Sequence, residues 1–286
     1  MSAIILYHSG APIPQHLVDC VTKIRRMSDI PIYIITDQAE HPPVDVQWVN
    51  MEEDTFNGVK HGLSLLDYYR DSNNPMWQTS CWRMFYIQRL MEAMKLRDVL
   101  HFDNDVLLFE RPDQIIATCS DLYDTFAITP SVPVPAHVIF GMSYIPNSRC
   151  LIDILDWVYD EMAKGWEYLN PKYNHYPCEM ILFGSCPLVK DYLPILPSGH
   201  YPPRYTNNSD RFNSVFDPSA YGQYMGGTDA EKKPGFIDVG HPIGKLIMMG
   251  ELRVVREGDQ LYVIHGGRKI KLNNLHVHSK QTAQFL

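Results

Sequence analysis

No stretch of the 286-residue chain approaches the roughly 18 consecutive apolar residues of a membrane-spanning helix. The opening MSAIILYHSG has too short an apolar run, and no basic flank, for a secretory signal peptide. Positive charge is scarce: 25 Lys and Arg stand against 33 Asp and Glu, a formal net charge of -8. That balance excludes a protein that tracks nucleic-acid phosphate with a basic surface. It does not exclude a nucleotide ligand, because one bound divalent cation reverses the local sign. The six cysteines (Cys20, Cys81, Cys119, Cys150, Cys178 and Cys186) form no CxxC pair. Without a secretory signal they read as reduced structural thiols, and the expected compartment is the cytoplasm. His175, Cys178 and Cys186 offer three zinc ligands but lack a fourth. Internal repeats and linkers are also missing, so one domain over residues 1–286 is expected.

What is present is an ordinary globular composition, 45% hydrophobic and 20% charged, on a chain long enough to bury a full core. AIILY (Ala3 to Tyr7) and PIYIIT (Pro31 to Thr36) are β-prone runs, and a weaker one follows near Val46 to Val49. Between the first two, Pro14 opens a stretch with Leu17, Val18, Val21 and Ile24 at helical spacing. Thr79 or Ser80 is expected to cap a long helix that leads to a strand at Asp98 to Phe102. Strands alternating with helices predict an α/β fold with a mostly parallel central sheet flanked by helices. Further strands are expected at Phe126 to Thr129 and Val138 to Tyr144, and a helix from an Asn147 cap to about Lys164. Residues from about Gly199 to Gly244 are Gly-, Pro- and Asn-rich and read as a long irregular, functional segment. ELRVVR-EGDQ-LYVIH is a C-terminal hairpin, and LHVHSK after it is a strand.

In open α/β sheets ligands bind beyond the carboxyl ends of the strands. That rule gathers Tyr7, His8 and Ser9 from the first strand, Asp37 from the second, and Asp103, Asn104 and Asp105 from HFDNDVLLF onto one acidic rim. Two carboxylates flanking one residue at a buried strand end repel each other unless a cation compensates, and they suit Mg²⁺ or Mn²⁺. A surface Asp-Asn-Asp turn is the competing reading. If LHVHSK is a strand, His276, His278 and Lys280 share a face. A histidine there can complete a metal site, and the lysine can neutralise phosphate.

The run SCWRMFYIQRLMEAMKLRDVLHFDNDVLLF resembles the core of GT-A glycosyltransferases, above all the retaining enzymes similar to family 8. The resemblance implies that Arg83 contacts the donor nucleotide or its phosphates and that Asp103 and Asp105 bind a metal carrying the diphosphate. It also implies a third ligand from the C-terminal segment, His278 in first place and His276 in second, with Lys280 on the diphosphate. The spacing of these histidines to Lys280 is shorter than the family's. In YPCEMILFG, Glu179 occupies the place of the family's acidic residue near the reacting sugar, while Met180 replaces its glutamine. VFDPSAYGQYMGG is similar to a segment of glycosyltransferase sequences, which implies a sugar or acceptor loop of Tyr221, Gln223, Gly226 and Gly227, with Asp217 a second catalytic candidate beside Glu179. Trp157, Trp166, Tyr168 and Tyr173 either line an acceptor groove or belong to the core.

The resulting expectation is a metal-dependent hexosyl- or pentosyltransferase, retaining, that moves a sugar from a UDP- or GDP-sugar to a glycan or other hydroxyl acceptor with Mn²⁺ or Mg²⁺ as cofactor. Residues 1–110 would form the donor half and residues 111–286 the acceptor half. Two other classes use similar residues. A nucleotidyltransferase would need a Gly-rich phosphate loop, which HSGAP is not. A non-catalytic nucleotide-sugar or glycan-binding module would leave so complete a metal set unexplained.

Overall fold

The computed structural model describes residues 1–66, 75–133, 136–173, 178–228, 234–235 and 240–286. In chain order the strands are β1 (Ala3–His8), β2 (Ile32–Thr36), β3 (Gln47–Asn50), β4 (Arg97–His101), β5 (Val106–Leu108), β6 (Ala127–Pro133), β7 (Ala136–Asn147), β8 (Asp191–Tyr192), β9 (Ser214–Val215), β10 (Leu252–Glu257), β11 (Gln260–His265), β12 (Arg268–Leu272) and β13 (Asn274–His276). The helices are α1 (Gln15–Arg25), α2 (Asn57–Ser64), α3 (Pro75–Ala93), α4 (Pro112–Leu122), α5 (Arg149–Ala163), α6 (Trp166–Tyr173), α7 (Glu179–Ser185), α8 (Ser209–Phe212), α9 (Tyr221–Gly226) and α10 (Pro242–Met248).

The main sheet runs β3-β2-β1-β4-β7-β6-β8. Its β3-β2-β1-β4 half is parallel, β7 is antiparallel to both β4 and β6, and β8 is parallel to β6. The sheet is therefore mixed, and the parallel order holds where the first strand-helix alternation was read. Buried on both faces, β1 and β2 are continuous apolar runs, as central parallel strands must be. The α1 helix buries Leu17, Cys20, Val21 and Ile24, an i, i+3, i+4, i+7 stripe, against the core. No helix among the described residues is long and apolar enough to cross a membrane.

Several elements differ from the sequence expectation. The α3 helix begins at Pro75, so Thr79 and Ser80 lie within it rather than at its cap. The Asn147 side chain does cap α5, accepting from the amides of Arg149 (3.1 Å) and Cys150 (3.3 Å). The 199–244 segment is less irregular than its composition implied, for it holds α8, β9, α9 and the start of α10. The C-terminal hairpin gains a third strand, β12, which pairs with β11 and, on its other edge, in parallel with β9. LHVHSK is not one strand. The β13 strand stops at His276, and Lys280 adopts a left-handed φ of 64°. The strand ends there because β13 has only a three-residue partner: Asn274, Leu275 and His276 pair with Leu108, Leu107 and Val106 of β5. That short ladder carries the chain's C-terminal segment back to the loop after β4.

Candidate metal and donor site

Asp103, Asn104 and Asp105 fill the turn between β4 and β5, at the carboxyl end of the parallel half of the sheet. The turn is held by main-chain bonds: the Asp103 amide donates to the Phe140 carbonyl (2.8 Å), and the Val106 amide donates to Asp103 (3.1 Å). From the other side, the Val277 amide donates to the Asp105 carbonyl (2.9 Å). The antiparallel register of β5 and β13 sets His276 beside Val106, next to Asp105. Its Nε2 lies 3.1 Å from Asp105 Oδ1 and 3.5 Å from Asp103 Oδ2. One ligand atom from each of Asp103, Asp105 and His276 falls within 4.8 Å of the other two.

His278, the histidine expected first, stands outside this trio. Its ring stacks on that of His276, with centroids 4.1 Å apart and planes 20° apart, and its Nε2 shares a hydrogen bond with Ser219 Oγ (2.6 Å). The two rings are on one side because the chain turns after His276, not because of strand alternation. Burial, and then the neighbouring charge of His276, push the His278 pKa down to about 3, so this imidazole is neutral. For His276 burial also opposes the charged form, but the Asp105 and Asp103 carboxylates override it and raise its pKa. Burial would likewise raise Asp105. His276 and Lys280 outweigh that and hold its carboxyl well below the usual carboxylate range.

Two cations complete the cluster. Lys280 Nζ pairs with Asp105 Oδ2, and Arg83 pairs with Asp103 Oδ1. The Arg83 guanidinium also reaches Glu179 Oε1 (3.4 Å) and lies over the Phe140 ring at 4.2 Å. Arg83 and Glu179 are almost fully buried, whereas Lys280 is half exposed and can swing away from Asp105. Glu179 is carried in by α7, which lies on β7 so closely that a Cβ on Gly184 would overlap the Ala136 carbonyl; only glycine fits there. Burial, and then the nearby Asp103 charge against the pull of Arg83, leave the Glu179 pKa raised. Its Oε2 has no hydrogen-bond partner among the described residues.

These groups line a cleft of about 320 Å³, bounded also by Tyr7, His8, Ser9 and Asn104. The size and the few converging polar groups are those of a small-ligand site. Asn104 is locked between two imidazoles: Oδ1 accepts from His16 Nε2 (3.2 Å) and Nδ2 donates to His8 Nδ1 (3.1 Å), while His8 Nε2 donates to the Ala11 carbonyl (2.8 Å). This chain of bonds ties the β1–α1 loop to the acidic turn. Asp37 acts one step behind it. Its exposed carboxylate accepts from the Gly10 amide (2.8 Å) and bears on that same loop rather than on the cleft.

The donor set suits a hard or borderline divalent cation: two carboxylates, one ionised by its surroundings, and one imidazole. Asp103, Asp105 and His276 could therefore hold such an ion, with the fixed charge of Arg83 and the movable charge of Lys280 beside it.

The VFDPSAYGQYMGG segment does not face the cleft. Tyr221 is fully buried, Gln223 points at Ser219 Oγ (3.5 Å), and Gly226 packs on the Val277 side chain. The C-cap Gly227 merely ends α9 at φ 88°. Asp217 is fully buried and accepts four main-chain bonds, from Ala220 (2.9 Å), Tyr221 (3.0 Å), Gly222 (2.9 Å) and His276 (3.0 Å). Its oxygens are occupied, and it does not line the cleft. Trp157 and Tyr173 pack against the core and Tyr168 is half exposed; the Trp166 side chain lies outside the description. His175 lies outside the described residues, while Cys178 and Cys186 are buried free thiols.

Sequence reasoning missed Thr79, Ser80, Ile139 and Met180 on the cleft wall. Thr79 and Ser80 were within reach, since they precede Arg83 by one helical turn and share its face. Ile139 was not, because nothing local couples β7 to the acidic turn.

No protein-family model matches the chain, and no curated protein matches it. Among solved structures it is similar to PaToxG glycosyltransferase, at 10% identity and a TM-score of 0.40, over 64% of this chain and 67% of that one. It is also similar to mouse xyloside xylosyltransferase 1 in its apo form, at 10% identity and a TM-score of 0.48, over 74% of this chain and 93% of that one. Both of these similar structures are glycosyltransferases.

Proposed function

We propose that the chain is a metal-dependent glycosyltransferase of the GT-A type, taking a sugar from a nucleoside diphosphate sugar, UDP- or GDP-linked, to a hydroxyl acceptor on a glycan or glycoconjugate. The observation that carries this reading is the cluster of Asp103, Asp105 and His276 flanked by Lys280 and Arg83, at the carboxyl edge of the parallel strands and open to a cleft. A divalent cation held there, Mn²⁺ or Mg²⁺, would supply Lewis-acid stabilisation of the diphosphate leaving group. The chain's own part is to bind and orient. Lys280 exchanges its bond to Asp105 for a phosphate oxygen, a move its half-exposed side chain permits. Arg83 is fixed by Asp103, Glu179 and Phe140, and contributes preorganised positive charge at the same end of the donor. Tyr7, His8, Ser9 and Asn104 form the wall for base and ribose.

Glu179 is the carboxylate on the cleft wall with an oxygen left over, and it is assigned to the reacting sugar. Asp217 is withdrawn from that role because all its acceptor capacity is spent on main-chain amides. Same-face transfer with retention remains the preferred stereochemical course.

The test is a donor screen with Mn²⁺ and a panel of nucleotide sugars, following nucleoside diphosphate release, with Asp105→Asn as control. Metal-dependent release from one donor, lost in the variant, supports the assignment and names the sugar. Donor binding without release across a broad acceptor mixture would favour a binding module. Absence of metal-dependent donor binding would sink the reading.

A further inference from the structure

A histidine that ligates a metal through Nε2 normally has its ring oriented by a hydrogen bond from Nδ1 to a second group. His276 lacks that bond: its Nδ1 is buried and has no partner among the described residues. Its ring must be aimed by other means, and the surrounding segment supplies them. Asp217 Oδ2 accepts the His276 amide (3.0 Å) and also the Gly222 amide (2.9 Å), while Oδ1 accepts from Ala220 and Tyr221 at the start of α9. One carboxylate thus joins the first turn of α9 to the main chain of the ligand residue. The joint is tight: a Cβ on Gly222 would overlap the His276 carbonyl. Asn274 anchors it to the central sheet, its Oδ1 accepting from the Asp217 amide (3.1 Å) and its Nδ2 donating to the Gly141 carbonyl of β7 (3.0 Å). The ring itself is backed by His278, whose Nε2 is bonded to Ser219 Oγ at 2.6 Å, and Ser219 is held at φ 69° within the same segment.

We infer that Asp217 is a positioning residue: through its bond to the His276 amide, and with Ser219 behind the His278 ring, the 217–222 segment aims the His276 imidazole at the metal site. This rests on the reading of that site as a metal centre, and it assigns a role to the Asp-x-x-x-x-Gly pattern of Asp217 and Gly222. Asp217 then acts on metal affinity. A carboxylate that took part in the reaction would act on turnover instead.

The experiment measures Mn²⁺ binding by loss of the free-ion EPR signal, without donor, in the full-length protein. Asp217→Asn keeps one oxygen for the α9 cap but turns an NH₂ towards the Gly222 and His276 amides. The expected result is a Kd for Mn²⁺ raised about 10–100-fold, the usual effect of removing an outer-shell partner, with donor turnover recovering at saturating Mn²⁺. Tyr144→Phe removes a hydrogen bond to Asp98 (2.7 Å) near the start of β4 and serves as a stability control; it should leave the Kd unchanged. Should Asp217→Asn fail to fold, Ser219→Gly suits the left-handed φ and removes the hydroxymethyl group that bonds His278; a Kd raised about threefold to tenfold is expected, a smaller share of the same effect. An unchanged Kd in the folded variant overturns the inference, as does turnover that stays lost at saturating Mn²⁺. Failure of the wild-type protein to bind Mn²⁺ would instead remove the metal site itself, so the two failures are distinguishable.

Discussion

Arg83 is the cation on which two carboxylates of the cleft depend, and replacing it by methionine tests the electrostatic account of the site. Its side chain is 9% exposed, and those of Glu179 and Asp103 are 8% and 21% exposed. Methionine keeps most of the packing on Phe140 but, among the described residues, leaves Glu179 with no cation and Asp103 with only the His276 contact. Removing one partner of a buried ion pair costs about 3–5 kcal/mol. The partial exposure of Asp103 and the retained apolar contact place the expected loss near the lower end, about 3 kcal/mol. At roughly 2 °C per kcal/mol for a chain of this size, the midpoint of thermal unfolding should fall by about 6 °C.

The loss must also depend on pH. Burial already raises the Glu179 pKa in the presence of Arg83, and without that guanidinium it rises further. A carboxyl with a raised folded-state pKa is harmless below its unfolded value and destabilises as pH climbs through the folded one. The deficit of Arg83→Met is therefore largest at pH 8 and shrinks towards pH 4 as Glu179 takes up a proton. Differential scanning calorimetry without divalent metal, at pH 4, 6 and 8 and constant ionic strength, reads both numbers. A deficit under about 1 kcal/mol at pH 8, the scale of exposed pairs, or one that does not vary with pH, would refute the account.

Two further variants probe the same cluster. Asp105→Asn should abolish the rise in unfolding temperature that Mn²⁺ confers on the wild-type protein, a gain of about 2.7 kcal/mol at a metal concentration one hundred times Kd; an undiminished Mn²⁺ shift in the variant would place the ion elsewhere. Glu179→Gln removes the buried charge while keeping the side chain's shape and polarity, so its stability relative to wild type should be higher at pH 8 than at pH 4, while donor turnover falls at least ~100-fold if the carboxylate handles a proton. A variant whose stability relative to wild type does not rise with pH would contradict the burial argument, and one with full turnover would free Glu179 of any part in the reaction.

What could be read without coordinates followed the range of the interactions involved. The β1 and β2 runs, the α1 stripe and the acidic turn after β4 are each specified within a dozen residues, by apolar patterning and by the rule that strands of an open sheet deliver their ligand groups at one edge. Arg83 and the acidic turn are brought together by the α3–β4 unit, but the role expected of Arg83 came from the resemblance of that run to a glycosyltransferase core and not from its local pattern. The choice between His276 and His278 was not legible. Both occur in one hexapeptide, and alternation makes them equivalent until something ends the strand. What ends it is the three-residue length of β5, more than 160 positions earlier in the chain, together with the bond from Asp217 to the His276 amide. The same non-locality hid the role of VFDPSAYGQYMGG. Its aromatic, amide and glycine content is as suitable for a sugar loop as for a tight main-chain joint. Only the approach of Gly222 to the His276 carbonyl, too close for any side chain, separates the two. A carboxylate five residues ahead of a glycine and just before a short helix is ambiguous as a motif. It becomes informative once its fourth hydrogen bond is found to go to a residue 59 positions away. For a site assembled from both ends of a chain, then, composition and local pattern identify the ligand types, while the length of a pairing strand decides which histidine of a pair faces the cleft.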